Sequence, residues 1–180
     1  MHARAMRILL IIIFTLPIMS CGVKKVGALT EVATSNEPKN PMTTKGAPFP
    51  DFNYVTSAMN LEFSSKLPDG PVMLVLFNPG CGHCKEIAID IQKNIDKFEG
   101  ISIVYMTGKN LLGMLPNFVA ECGLGETENF IVCADNSEIT SQLFDMEGIP
   151  QMMFYNTERK LQEVMYKELQ MDEALKALRK

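Results

Sequence analysis

The chain has 180 residues, 47% of them hydrophobic, and a formal net charge of −4. That is enough for one domain with a core that needs no disulfide staples. An acidic chain without a basic block is a poor match to nucleic acid, which removes that class of partner.

The N-terminal segment carries Arg4 and Arg7 and no acid, followed by an apolar run from Ile8 to Leu16 broken only by Thr15. This is the charged and apolar layout of a secretory signal peptide. The run falls short of the roughly 20 residues that a transmembrane helix needs. Ile18-Met19-Ser20-Cys21 resembles a bacterial lipobox, which implies cleavage after residue 20 and lipidation of Cys21. The expected location is therefore the bacterial cell envelope, on its periplasmic side and anchored to a membrane by lipid. Without residues 1–20 the chain keeps 15 Lys and Arg against 21 Asp and Glu, a formal charge of −6, and His83 is its only histidine.

Residues 21–48 hold Pro38, Pro41, Gly46 and Pro48 among Thr, Ser, Asn and Lys, and read as a flexible tether. A domain over 49–180 follows. Phe52–Thr56 and Leu61–Ser65 suit a small hairpin, and Pro68-Asp69-Gly70-Pro71 is a turn. Val72–Phe77 is an unbroken apolar run, as expected of a strand buried on both faces. Ile87, Ile91, Ile95 and Phe98 recur at helical spacing. Ile101–Met106 reads as a second buried strand. A helix is expected over Leu111–Cys122, with a kink at Pro116 and Gly123 as its C-cap. Phe130–Ala134 reads as a strand and Ile139–Met146 as a helix. Met152–Tyr155 and Leu161–Tyr166 form a last strand pair, and Ala174, Leu175 and Leu178 mark a closing helix. Strands alternating with helices indicate an α/β fold with a sheet covered on both faces.

The chemistry is concentrated in Cys81-Gly82-His83-Cys84. A strand that delivers a CxxC to the first turn of a helix sets two sulfurs close enough to bridge, and the first sulfur feels the positive helix end, which favours a thiolate. The thiolate is the reacting species in disulfide exchange. A structural bridge rarely spans two residues at a helix start. A zinc site needs further ligands, and only Cys122 and Cys133 remain. Cys81 is therefore expected to be the nucleophile and Cys84 the resolving thiol, with no metal and no cofactor. His83 between them would supply a positive charge beside the thiolate.

Three stretches give the chain a resemblance to the thioredoxin superfamily over about residues 46–180. Asn78-Pro79-Gly80-Cys81-Gly82-His83-Cys84-Lys85 is similar to a thioredoxin-type active site and contains the CGHC of protein disulfide isomerases. Gly148-Ile149-Pro150, followed by Gln151–Tyr155, resembles the cis-proline loop and its strand. Gly46–Phe52 and the strand and helix between Ile101 and Gly123 resemble the membrane-tethered TlpA/ResA-like branch. The resemblance implies a thioredoxin-like fold: a central mixed sheet with helices on both faces, an extra N-terminal hairpin and a strand–helix insertion. It also implies a substrate-binding surface made by Gly80, Gly82, Ile149 and Pro150, with the Ile149 backbone pairing to a substrate strand. The chain departs from the family pattern at several positions. The buried acid six residues before the first cysteine is Val75, and the Trp before that cysteine is Gly80. The Glu and Pro that TlpA-like proteins carry after the second cysteine are Ile87 and Ile89, with Glu86 one place early.

Cys122 and Cys133 form an even pair in an exported chain, which invites a bridge. Cys122 ends a helix and Cys133 lies inside the following strand, so their Cα atoms are not expected within the roughly 7 Å that a bridge requires. Most of the 13 Met residues read as core filler, with Met152 and Met153 as candidates to line a substrate groove. The expected function is disulfide exchange with exported protein substrates, supplied by a membrane electron donor or acceptor. The alternatives are a non-catalytic thioredoxin-like interaction domain, against which the intact CxxC and Ile149-Pro150 count, a copper chaperone, which lacks its distant histidine here, and a peroxidase of the peroxiredoxin group, whose Thr three residues before the cysteine is Asn78.

Overall fold

The computed structural model describes residues 40–124, 129–145 and 147–180. The expected signal peptide, Cys21 as the expected lipidation site, and the expected tether as far as residue 39 lie outside the described residues. In chain order the elements are β1 (Asn53–Thr56), β2 (Leu61–Phe63), β3 (Val72–Leu76), α1 (Gly82–Lys93), β4 (Ser102–Thr107), α2 (Leu115–Cys122), β5 (Phe130–Asp135), α3 (Ile139–Leu143), β6 (Gln151–Tyr155), β7 (Leu161–Tyr166) and α4 (Met171–Leu178).

The strands make one mixed sheet in the order β2-β1-β5-β4-β3-β6-β7. β3 is parallel to β4 and antiparallel to β6. The apolar runs at β3 and β4 reflect their position: both are interior strands, buried along their whole length. Alternate residues feed two cores. On one face Met73, Val75, Ile103 and Tyr105 pack with α1, α2 and α4; on the other, Val72, Leu74, Val104 and Met106 pack with α3 and with Phe52 and Tyr54. Cys122 belongs to the first core and Cys133 to the second, and both are free thiols.

The helices differ from expectation at their ends. α1 stops at Lys93, and Ile95–Phe98 forms a separate 3-10 turn. Asn94 closes the helix, its side-chain amide donating to the Asp90 carbonyl at 2.9 Å, the back-bonding that makes Asn a poor helix-interior residue. Pro116 does not kink a helix; it lies in the first turn of α2, where its missing N–H costs nothing, and the residues before it form a 3-10 turn over Lys109–Met114. Gly123 is the C-cap, at φ +61°. α3 ends at Leu143, short of the expected Met146, and its start is held by Asp135, whose carboxylate accepts from the Thr140 N–H and hydroxyl, both at 2.8 Å. Met152 and Met153 are fully buried, one in each core, and line no groove.

The largest correction concerns residues 40–48, expected to be tether. They pack on the domain. The Asn40 side chain donates to the Gln142 carbonyl at 2.7 Å, and the buried Thr43 hydroxyl donates to Asp145 at 2.9 Å. The Gly46 N–H donates to the Leu161 carbonyl at 2.7 Å, and the Leu161 N–H to the Ala47 carbonyl at 2.8 Å. Asp145 also accepts from the Tyr166 hydroxyl at 2.6 Å, and its N–H donates to the buried Gln151 side chain at 2.9 Å, so this segment is tied to the start of β6. At ~1 kcal/mol per hydrogen bond, a chain beginning at residue 49 should be less stable by about 2–4 kcal/mol than one beginning at residue 40. Urea unfolding of the two checks this; equal midpoints would contradict it.

Candidate active site

The register between β3 and β6 brings the two sequence motifs together. Leu76 pairs with Gln151, so the chain leaving β3 through Phe77 and Asn78 runs beside the chain entering β6 through Ile149 and Pro150. The Ile149–Pro150 bond is cis. An open cavity of about 320 Å³ lies where these segments meet β4 and α3, lined among others by Phe77, Asn78, Thr107, Leu111, Phe144 and Ile149.

Asn78 builds the turn that carries the cysteines. Its side-chain oxygen accepts from the Gly80 N–H at 2.8 Å, and its carbonyl accepts from the Cys81 N–H at 3.0 Å. This is the local turn chemistry of Asn before Pro-Gly. Pro79 is buried, whereas Gly80 and Gly82 are exposed. A Cβ on Gly80 would meet the Asn78 side-chain oxygen at 3.3 Å and the Met114 methyl at 3.8 Å; one on Gly82 would meet nothing.

Cys81 is the N-cap of α1 and is partly exposed. Its side chain makes no capping bond, and its carbonyl accepts the first helical N–H, that of Lys85, at 3.2 Å. One turn further in, Cys84 is fully buried. Burial pushes its thiol up to about 12. The backbone N–H groups of Asn78 and Cys84 pull the other way, and the Cys84 S–H, directed at the Cys81 sulfur, adds to the rise. The two thiols are thus in contact but chemically unequal: one reaches solvent, and the other stays protonated in the core.

His83 is half exposed. Its Nδ1 lies 3.4 Å from the Glu86 carboxylate, one turn along α1. Lys85 pairs with Glu121 of α2, bridging the two helices above Cys122. Among the described residues no cluster of three His, Cys, Asp or Glu side chains is placed to hold a metal ion, and no helix is long and apolar enough to cross a membrane.

Two site features escaped sequence reasoning. One is the bonding role of Asn78, which its Asn-Pro-Gly context signals. The other is Tyr105, opposite Val75 in the β3–β4 register and fully buried. Its only signal is a polar tip within an otherwise apolar strand.

No protein-family model matches the chain, and no curated protein matches it in sequence. Solved structures do resemble it. A protein of Aquifex aeolicus, provisionally described as an electron transfer protein, superposes with a TM-score of 0.62 at 19% identity over 74% of this chain and 96% of its own. A secreted disulfide oxidoreductase of Mycobacterium tuberculosis gives a TM-score of 0.56 at 17% identity, over 70% and 92% of the two chains. A peroxidoxin of the same organism gives 0.60 at 19%, over 75% and 96%. At these identities the likeness is one of fold, and the chain has the thioredoxin-like fold.

Proposed function

We propose that this chain is a thiol–disulfide oxidoreductase that exchanges disulfides with exported proteins through Cys81 and Cys84. The observation that carries the reading is the asymmetry of the pair: a partly exposed thiol at the N-terminus of α1 and a fully buried partner one turn away. Disulfide exchange needs one accessible sulfur to engage the substrate and a second, kept out of the first encounter, to release it.

Acting as a reductant, the Cys81 thiolate attacks a substrate disulfide; one substrate sulfur leaves as a thiol and the other is held in a mixed disulfide. Cys84 loses its proton, attacks the Cys81 sulfur, and releases the second substrate thiol. Two electrons pass to the substrate, and the Cys81–Cys84 disulfide is left. Run backwards, the same steps oxidise a dithiol. Gly80 and Gly82 leave the surface beside Cys81 open, and the Ile149 backbone next to it accepts a substrate segment in extended form. His83 favours the reduced pair by placing positive charge near the thiolate, an effect that Glu86 moderates. No cofactor is required.

A membrane protein would return or remove the electrons. Cys21, through its lipid, would hold the domain at the envelope membrane. The peroxidoxin among the structural neighbours prompts a peroxidase reading, but the contact of Cys81 with a buried second thiol favours dithiol exchange.

The chain from residue 40 onward should reduce insulin disulfides with dithiothreitol as electron source. Cys81→Ser should abolish this, and Cys84→Ser should accumulate mixed disulfides; full activity in Cys81→Ser would overturn the reading. Brief iodoacetamide treatment of the reduced protein at about pH 8 should label Cys81 and spare Cys84, because a thiol raised to about 12 is neutral there. Equal labelling of both, read by mass spectrometry, would contradict the assigned roles.

The same burial sets an alkaline limit. Cys84 and Cys133 keep in the fold protons that an unfolded thiol gives up near its ordinary value of 9.0. Their raised values therefore favour the folded state below that pH and work against it increasingly as the pH rises beyond it. The urea midpoint of the reduced protein should fall between about pH 8 and pH 11; a flat profile would contradict the burial of these thiols.

A further inference from the structure

Tyr105 is fully buried in the core beneath α1 and α2. Its ring is well packed. It stacks on Phe130 at 5.4 Å and 19°, and meets Phe77 edge-on at 5.2 Å. Its hydroxyl, in contrast, finds no hydrogen-bond partner among the described residues. A phenylalanine would supply the same ring without stripping a hydroxyl of water for no return. The packing seen here therefore does not account for the oxygen, and its presence calls for a state in which it has a partner.

The surroundings point to that partner. Tyr105 lies opposite Val75 in the β3–β4 register, and its ring touches Phe77, the residue before the active-site turn. Burial raises its phenol well above the ordinary value, and the ionisable groups that act on it in addition are Cys84 first and Cys122 second. From α1 the groups on this side are Cys81, Cys84 and Lys85, and from α2 they are Glu121 and Cys122, with Lys85 and Glu121 paired to each other. The neighbouring positions that face this core, Val75 on β3, Phe77 just after it, and Phe130 and Val132 on β5, carry no charge.

Resting on the dithiol reading above, we propose that the Tyr105 hydroxyl supports the Cys84 thiolate during the resolving step. In the reduced state Cys84 is a neutral thiol beside Cys81, and the phenol is idle. Once Cys81 is bound to substrate, Cys84 must become an anion inside an apolar core. Its proton leaves to solvent, its sulfur bonds to the Cys81 sulfur, the Cys81–substrate bond breaks, and the departing substrate thiolate takes up a proton. Tyr105 keeps its own proton throughout. Its O–H supplies a hydrogen bond to the transient thiolate, beside the backbone N–H of Asn78.

The test compares the native sequence from residue 40 with Tyr105→Phe, which removes only the oxygen. Reduced protein is mixed with 5,5′-dithiobis(2-nitrobenzoate), and the released thionitrobenzoate is followed by stopped flow across pH. The first release reports attack by Cys81. The second reports resolution by Cys84 and is identified by its loss in Cys84→Ala. Tyr105→Phe should leave the first phase unchanged, slow the second about tenfold near neutrality, in keeping with one hydrogen bond to a charged group, and move its pH dependence upward. A second phase with native rate and pH dependence would overturn the proposal, and higher thermal stability in that variant would then mark the hydroxyl as a packing cost only. Absence of a Cys84-dependent second phase in the unmodified protein would instead overturn the dithiol reading itself.

Discussion

The pairing of β3 on both of its edges is the constraint on which the rest of the structure depends. β4 holds one edge in parallel register and β6 the other in antiparallel register, and both faces are covered by side chains. A strand so enclosed cannot slip by one residue without turning two cores inside out. Its C-terminal exit is therefore fixed in space, and with it the turn from Asn78 to Cys81. Because β6 runs the opposite way alongside, its entry at Ile149 and Pro150 is fixed at the same end. The candidate site is thus a product of register: two segments some seventy residues apart in the chain meet because one strand has no freedom to move.

That geometry also divides the labour between the sulfurs. Cys81 caps α1 at the surface, and Cys84, one turn later, falls on the helix face that enters the core. Burial of Cys84 suppresses its ionisation; in the proposed exchange this keeps it out of the first encounter and makes the second step the demanding one. In thioredoxin-like proteins a buried acid often stands near this point, and here the position is Val75. The core beneath the pair carries no acid at that position, and Tyr105, in register with Val75, brings a buried hydroxyl into it.

Most of the fold was legible from periodicity. Strands enclosed on both faces read as continuous apolar runs at 72–77 and 101–106, and the helix after the CxxC read from the spacing of Ile87 and Ile91. Helix ends were less legible because they were decided by single side chains. Asn94 turned its amide back onto Asp90, Pro116 opened α2 where a kink had been expected, and Asp135 captured the start of a very short α3. Residues 40–48 were misread because their composition is that of a linker, and what holds them is long-range: Thr43 on Asp145, and backbone bonds to Leu161. No local pattern encodes such partners. At the site, the cysteines and Ile149-Pro150 were visible as motifs, whereas Tyr105 was hidden inside a strand whose tyrosine looked like any other large apolar residue.

The central claim is that Cys81 and Cys84 form a reversible redox couple, and equilibration of the chain from residue 40 onward with reduced and oxidised glutathione tests it most directly. The account predicts a single two-electron transition between the dithiol and an intramolecular Cys81–Cys84 disulfide, at a potential less negative than about −300 mV, within reach of the glutathione couple. A chain that forms no bridge between these residues, or one that glutathione cannot reduce, would contradict it.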